Sequence, residues 1–305
     1  MKNSQLRTFV AIAEHGTIRA AARSLALSQT AVTKSLRELE RDLQAPLMNR
    51  SPQGVRLNDA GLELLRRAKL ILAEVEDART AIQRLSGQGV AQVHAAVTPV
   101  FSLLCLPDAL GRFRGRYPDA RLTIRDAFLS EILPMLRDGT IDVAITSLLP
   151  EVLGADLSFE SLGEVTIAVA SQAGAPGLGP YRLADLGDSV WLLDHSSGGS
   201  AERVRQWFAE HDVPLPRQMI ECPSSMAAFV LTASGNVITP VPRSILSLPW
   251  VAQLLSEIPL EEPLPTIPIG LVKRRDTVLS AAANWFIESA RLAIAAMPGL
   301  NLGKC

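Results

Sequence analysis

The sequence predicts an α/β protein whose parts follow one another: a basic winged helix-turn-helix head, a long helix, and a larger region of alternating strands and helices. Three observations predict it. Short amphipathic helical patterns and a hairpin pattern fill the first 58 residues, a 3.5-residue apolar repeat follows, and strand-like runs separated by helical patterns fill the rest. At 305 residues, 48% hydrophobic and 20% charged, the chain has material for about two packed domains rather than for disorder.

In the head, Leu6, Phe9, Val10 and Ala13 recur at helical spacing, and Gly16 can end that helix in the left-handed conformation. Thr17 suits the N-cap of a short second helix in which Ala21 and Ala22 permit close contact. Ser28 suits the cap of a third helix, with Val32, Leu36, Leu39 and Leu43 facing inward. Gln29, Thr30, Thr33, Lys34 and Arg37 then lie on the opposite face near its start. With Ser28, these side chains can bond base edges and phosphates where a helix enters a major groove. Ser51-Pro52-Gln53-Gly54 suits a type I turn, so a short hairpin, or wing, is expected to carry Arg50 and Arg56 to phosphates.

Charge agrees with this division. Through Asn58, nine Lys and Arg residues face four acidic ones, a head of +5; the net charge of −1 leaves −6 for the remainder. A basic head on an acidic body fits phosphate binding by the head alone.

From Asp59 to Leu85, the apolar residues Leu64, Ala68, Ile71, Val75, Ala78, Ile82 and Leu85 are spaced 4, 3, 4, 3, 4 and 3. That is the period of a coiled-coil seam and predicts self-association. Two heads on a two-fold axis would meet half-sites whole helical turns apart, about 34–36 Å each. Ser86-Gly87-Gln88-Gly89 is expected to form a hinge.

The run from Gly16 to Gly61 resembles the winged helix-turn-helix of LysR-type transcriptional regulators. It matches their pattern at Gly16, Ala21, Ala22, Leu25, Ser28, Gln29, Ala31, Val32, Leu39, Glu40, Leu43, Pro46, Leu47, Arg50, Leu57, Ala60 and Gly61. It departs at Thr30, where the family has proline, at Thr33-Lys34 for Ser-Arg, at Gln44 for glycine, at Met48 for phenylalanine and at Asn58 for threonine. The resemblance implies a DNA-binding domain over 1–58, a dimerising linker helix and hinge over 59–89, and an effector-binding domain over 90–305. That domain would be bilobal and similar to periplasmic solute-binding proteins. Two Rossmann-like lobes are implied, lobe I about 90–163 and 268–305 and lobe II about 164–267. A transcription regulator acting on double-stranded promoter DNA, a tetramer built from dimers, and RNA polymerase as a further partner belong to the same implication.

Beyond residue 90 the expected strands are 93–97, 121–124, 142–145, 166–169, 190–193, 219–222 and 237–239, with crossovers near 164–165 and 266–269 and a last helix over 279–297. In open α/β sheets ligands sit at the carboxyl ends of strands. The candidates there are Thr98, Pro99, Val100, Thr146, Ser147, His195, Ser196, Ser197, Ser224 and Ser225, with Phe128 and Met226 as apolar walls. Hydroxyls and helix-start N–H groups favour an anion, so the expected effector is a small organic anion, of aromatic carboxylate or sulfonate type.

Other chemistries lack their motifs. Four scattered histidines and three cysteines, Cys105, Cys222 and Cys305, show no metal-ligand spacing, and no GxSxG, P-loop or GxGxxG is present. No cofactor is expected, and Lys273-Arg274-Arg275 reads as a solvated strand end. No apolar run approaches the roughly 18 residues of a membrane span, and the N-terminus shows no signal-peptide core, so a cytoplasmic protein is expected. Two alternatives stand beside the regulator. A sequence-indifferent architectural DNA-binding protein would not need some 200 residues of sensor. An enzyme on the bilobal region would need a nucleophile, base or cofactor motif.

Overall fold

A computed structural model describes residues 1–51, 54–85, 90–175, 179–193, 197–222, 224–275 and 277–297, with side chains except at positions 50, 51, 54, 77, 80, 81 and 83–85. Two compact units are present, the first built on Met1–Val90 with Arg137–Thr140 and the second on Ala91–Leu136 and Ile141–Cys305.

The first unit comprises α1 (Asn3–His15), α2 (Ile18–Ser24), α3 (Gln29–Leu43), β1 (Met48–Ser51), β2 (Gly54–Leu57) and α4 (Asp59–Leu85). Its caps follow from side-chain chemistry. Thr17 Oγ1 accepts the Ala20 N–H and Ser28 Oγ accepts the Ala31 N–H, each at 3.1 Å, satisfying donors that a helix start leaves unpaired. Phe9, Ile12, Ala21, Val32, Leu36 and Leu39 form the buried centre of the three-helix core. β1 and β2 pair antiparallel with Ser51 opposite Gly54; the expected turn residues Pro52 and Gln53 lie outside the described residues. The Val55 N–H donates to Gly16 O at 3.0 Å and ties this wing to the turn between α1 and α2.

Gly61 explains a fixed point of the pattern. A Cβ there would lie 2.1 Å from Leu47 O, so the first turn of α4 can approach the chain before β1 only without a side chain. Asn58 braces the same junction, accepting the Gly61 N–H and donating to Pro46 O, both at 2.9 Å.

The seam of α4 does not lie in one environment. Ala68 is fully buried in the head's own core and Leu64 is half-buried against it, because the start of α4 packs on α1. Ala68 is therefore corrected from a dimerisation residue to a core residue. Ile71 and Ile82 are 39% and 65% exposed, Ala78 is exposed and Val75 half-buried. The Leu85 side chain and the expected hinge, 86–89, lie outside what is described.

The second unit opens with β3 (Gln92–Val97), α5 (Pro99–Leu104), α6 (Leu106–Arg116), β4 (Arg121–Asp126), α7 (Leu129–Arg137), β5 (Val143–Ser147) and β6 (Leu157–Gln172). It continues with β7 (Val190–Leu192), α8 (Ser200–Glu210), β8 (Gln218–Ile220), α9 (Ser225–Ala233), β9 (Thr239–Pro242), α10 (Arg243–Leu246), α11 (Pro249–Ala252), β10 (Leu255–Glu257), β11 (Thr266–Arg274) and α12 (Ala281–Ala295). The main sheet runs β10-β6-β11-β5-β3-β4, with β9 also on β6. β3, β4 and β5 are mutually parallel, as the βαβ rhythm requires. The long β6 and β11 pair antiparallel from Thr166 opposite Thr266 to Leu157 opposite Arg274, and form the double crossover between two lobes. Lobe II is thus inserted into lobe I, and α12 returns to pack on α6.

Buried indoles find partners: Trp191 Nε1 donates to Leu186 O at 3.0 Å and Trp207 Nε1 to Pro263 O at 2.8 Å. The basic run at the end of β11 is not merely solvated. Arg274 donates to Leu136 O and Ile141 O, and Arg275 to Ala155 O and Leu157 O, so both guanidinium groups satisfy carbonyls left over at element ends.

Candidate nucleic-acid interface and interlobe cleft

α3 is two-faced. Val32, Leu36 and Leu39 are buried, while Gln29, Thr30, Lys34 and Arg37 are exposed and Thr33 is half-buried on the other side. Those five residues, with Glu38 and Arg41, line a recess of about 580 Å³ along the helix. Arg41 was not among the sequence candidates; its position four residues after Arg37 puts it on the same stripe and was signal enough. Ser28 combines cap and contact, since its Oγ also lies 2.8 Å from Thr30 Oγ1. Arg56 is exposed on β2, opposite Asn49; the side chain of Arg50 lies outside what is described. The arrangement offers amide and hydroxyl groups near the helix start and three cations along the rest, a face suited to bases and phosphates rather than to an apolar partner.

In the second unit, Val97 stands opposite Asp126 and Ile145 in register, so Thr98, Phe128 and Ser147 emerge at one end of lobe I. In lobe II, β7 and β8 are parallel with Leu192 opposite Ile220, which brings Ser197 and Ser224 to one end of that lobe. The two ends meet: the Leu149 N–H donates to Gly198 O at 2.7 Å. Gly198 has φ 78°, and a Cβ there would lie 2.4 Å from Val152, so only glycine allows this approach.

The individual candidates divide. Thr98 and Pro99 are half-buried, and the Thr98 N–H is held by Ile145 O at 3.0 Å. Val100 and Thr146 are corrected to core positions: Val100 is 2% exposed in the lobe I cluster, and Thr146 is 0% exposed between β11 and β3. Ser147 is buried, and its hydroxyl has no hydrogen-bond partner among the described residues. Phe128 is half-buried, Ser197 is exposed, and Ser224 caps α9 through the Ala227 N–H at 3.3 Å. Ser225 is half-buried and Met226 is 71% exposed. His195 and Ser196 lie outside the described residues.

Sequence reasoning missed two carboxylates at this edge. Asp126 is exposed as a residue, yet partial desolvation of its carboxyl raises it and the negative charge of Glu131 adds to that, while Glu131 Oε2 accepts the Phe128 N–H at 3.3 Å. A lone Asp at a strand end carries no pattern that would reveal this. Cys105 is buried, and burial, with Asp108 adding, pushes its thiol up to about 12. Among the described residues no cluster of His, Cys, Asp or Glu could hold a metal, and no helix is long and apolar enough to cross a membrane.

Comparison with known proteins agrees with both halves. Residues 4–62 match the family described as bacterial regulatory helix-turn-helix protein, lysR family, and residues 86–294 match the LysR substrate binding domain. The HTH-type transcriptional regulator TdcA of Escherichia coli (strain K12) is 26% identical over 290 residues, covering 95% of this chain and 92% of that protein. The SDS degradation transcriptional activation protein of Pseudomonas sp. (strain ATCC 19151) is 29% identical over 285 residues, covering 92% of each. Full-length CbnR in complex with its target DNA has a similar fold, with a TM-score of 0.68 at 23% identity over 96% of this chain and 100% of that one. The two matched domains together span nearly all of the sequence in the order the geometry shows, and the chain belongs to the LysR family of helix-turn-helix transcriptional regulators.

Proposed function

We propose that this regulator inserts the start of α3 into a major groove, with Ser28, Gln29, Thr30 and Thr33 at base edges and Lys34, Arg37, Arg50 and Arg56 on phosphates. The exposed polar and basic stripe of α3, set against a fully buried apolar one, carries this reading. The outward part of α4, with Ile71, Val75, Ala78 and Ile82, joins two copies, and dimers pair into a tetramer. The domain limits follow the same reading: 1–58 for DNA, 59–89 for the linker, 90–305 for the effector.

The effector site lies between the lobes, at Thr98, Phe128, Ser147, Ser197 and Ser224. The unpartnered Ser147 hydroxyl favours a polar ligand group, because a buried hydroxyl without a partner costs about 1–3 kcal/mol. The starts of α8 and α9 favour a negative one. The name of the 29%-identical Pseudomonas protein ties that relative to degradation of SDS, an apolar body with an anionic head, and the same class is proposed here. Ligand-driven closure of the lobes shifts the arrangement of heads, a coupling of about 1–3 kcal/mol.

One experiment tests the core of this. The purified protein is titrated with DNA from upstream of its own gene and with random DNA of equal length, and its mass in solution is measured alongside. Tighter binding to the upstream DNA by an oligomer is expected. A monomer that binds both DNAs alike refutes the proposal.

A further inference from the structure

We propose a second small-molecule site in this chain, at the segment that joins β5 to β6, for an apolar monocarboxylate. An open depression of about 520 Å³ lies there, lined by Pro150, Leu153, Leu157, Phe159 and Pro268 and bearing one charged group, Arg275. None of the interlobe candidates, Thr98, Phe128, Ser147, Ser197 or Ser224, lines it.

The chemistry of the ligand follows from the walls. Arg275 Nε donates to Ala155 O at 3.1 Å and Nη2 to Leu157 O at 3.3 Å. Two neutral carbonyls fix the plane of the guanidinium without neutralising its charge. Glu151 and Asp156, the acidic residues of the same segment, are not part of the lining. A pre-oriented guanidinium above an apolar wall suits a carboxylate on an apolar body, because the planar fork matches carboxylate geometry. A dianion without an apolar part would leave the half-buried Leu153 and Phe159 unused.

Its position gives the site a consequence. The lining segment also holds lobe II, through the Leu149 N–H to Gly198 O and the contact of Val152 with Gly198. Lobe I holds it too, since the Leu148 N–H donates to Pro268 O at 3.0 Å. An occupant bearing on Pro150, Leu153 and Pro268 therefore bears on the strip that sets lobe closure. This coupling rests on the interlobe reading above; occupancy of the site does not.

The test is calorimetric titration of the full-length protein with phenylacetate, and with phenylacetamide as its uncharged twin. Saturable phenylacetate binding is expected in wild type and in Thr98→Val, with phenylacetamide at least about tenfold weaker. Arg275→Gln should weaken phenylacetate at least about tenfold. Ser161→Trp, at an exposed lining position, should abolish the binding that Thr98→Val retains, by filling the depression. Equal affinity in wild type, Arg275→Gln and Ser161→Trp overturns the proposal, as does absence of saturable binding to wild type. Loss of binding in Thr98→Val, with Arg275→Gln unaffected, overturns it by placing phenylacetate between the lobes instead.

Discussion

Ser28 Oγ and Thr30 Oγ1 lie 2.8 Å apart in the first turn of α3, while the same Ser28 oxygen accepts the Ala31 N–H. Cap and candidate base contact are thus one polar unit, at a position where the family pattern has proline. A proline would preset the backbone angle but present no polar group. Thr30→Val keeps the side-chain shape and removes the hydroxyl. It should lower discrimination between the operator and its single-base variants by about 1–3 kcal/mol, with the salt dependence of binding unchanged. Fluorescence anisotropy over a salt series reads both quantities, and intact discrimination would remove Thr30 from base reading.

Lys34 should behave in the opposite way. It is exposed on the same stripe, one turn after Thr30. Lys34→Ala should weaken all DNA sequences alike and reduce the salt slope by about one unit, the signature of a lost phosphate contact. A changed sequence preference with the slope intact would contradict the phosphate role.

Gln44 ends α3 at φ 53°, in the left-handed region, and its N–H donates to Arg41 O at 3.2 Å. The family pattern has glycine at this position, and the backbone shows why: a side chain there is strained by roughly 1–2 kcal/mol. Gln44→Gly should therefore stabilise the head by about 1 kcal/mol, raising its urea midpoint, whereas Gln44→Ala should bring no gain. A midpoint lowered by the glycine would mean that the side chain contributes more than the strain costs.

Ala68 and Ile82 share a repeat but not a fate, one buried in its own head and the other 65% exposed. Ile82→Glu should break the α4 contact and lower the oligomeric state in sedimentation while leaving head unfolding unchanged. Ala68→Leu should do the reverse, destabilising the head by about 1–3 kcal/mol through overpacking and leaving association intact. Unchanged sedimentation of the Ile82 variant would move the interface off α4.

These residues show how far the sequence could be read. The head was legible in detail because caps, apolar stripes and Gly61 are local chemistry at fixed spacing. The repeat of α4 was legible as a repeat, but period alone does not say whether an apolar residue meets its own domain or another chain, and Ala68 went to the nearer surface. In the second unit most strands were legible, though β10 and the first half of β6 were missed, and their contacts were not legible. Val100 and Thr146 stand beside Pro99 and Ser147 in the chain, yet they turn into the core, because which side of a strand end faces the crevice depends on the lobe packed against it. The Gly198–Val152 approach spans 46 residues and leaves no trace in local pattern.

Asp126 supplies a pH dependence with a definite sign. The residue is exposed at the end of β4, but partial desolvation of its carboxyl raises it and Glu131 raises it further, so the folded chain holds this proton more tightly than the unfolded one. The contribution of this proton to stability is full below the unfolded value, about 3.9, and is lost as pH rises through the raised folded value. Asp126→Asn cannot lose it. The variant's urea midpoint relative to wild type should therefore rise with pH across the acidic range and level off above the folded pKa. The same substitution removes a negative charge from the crevice edge and should tighten binding of a carboxylate ligand there at neutral pH. Parallel urea melts of the two proteins from just below the unfolded value, about 3.9, up to neutral pH decide it. A flat difference would show that the Asp126 carboxyl is not raised in the fold, and one that falls with pH would show that its carboxylate is stabilised there.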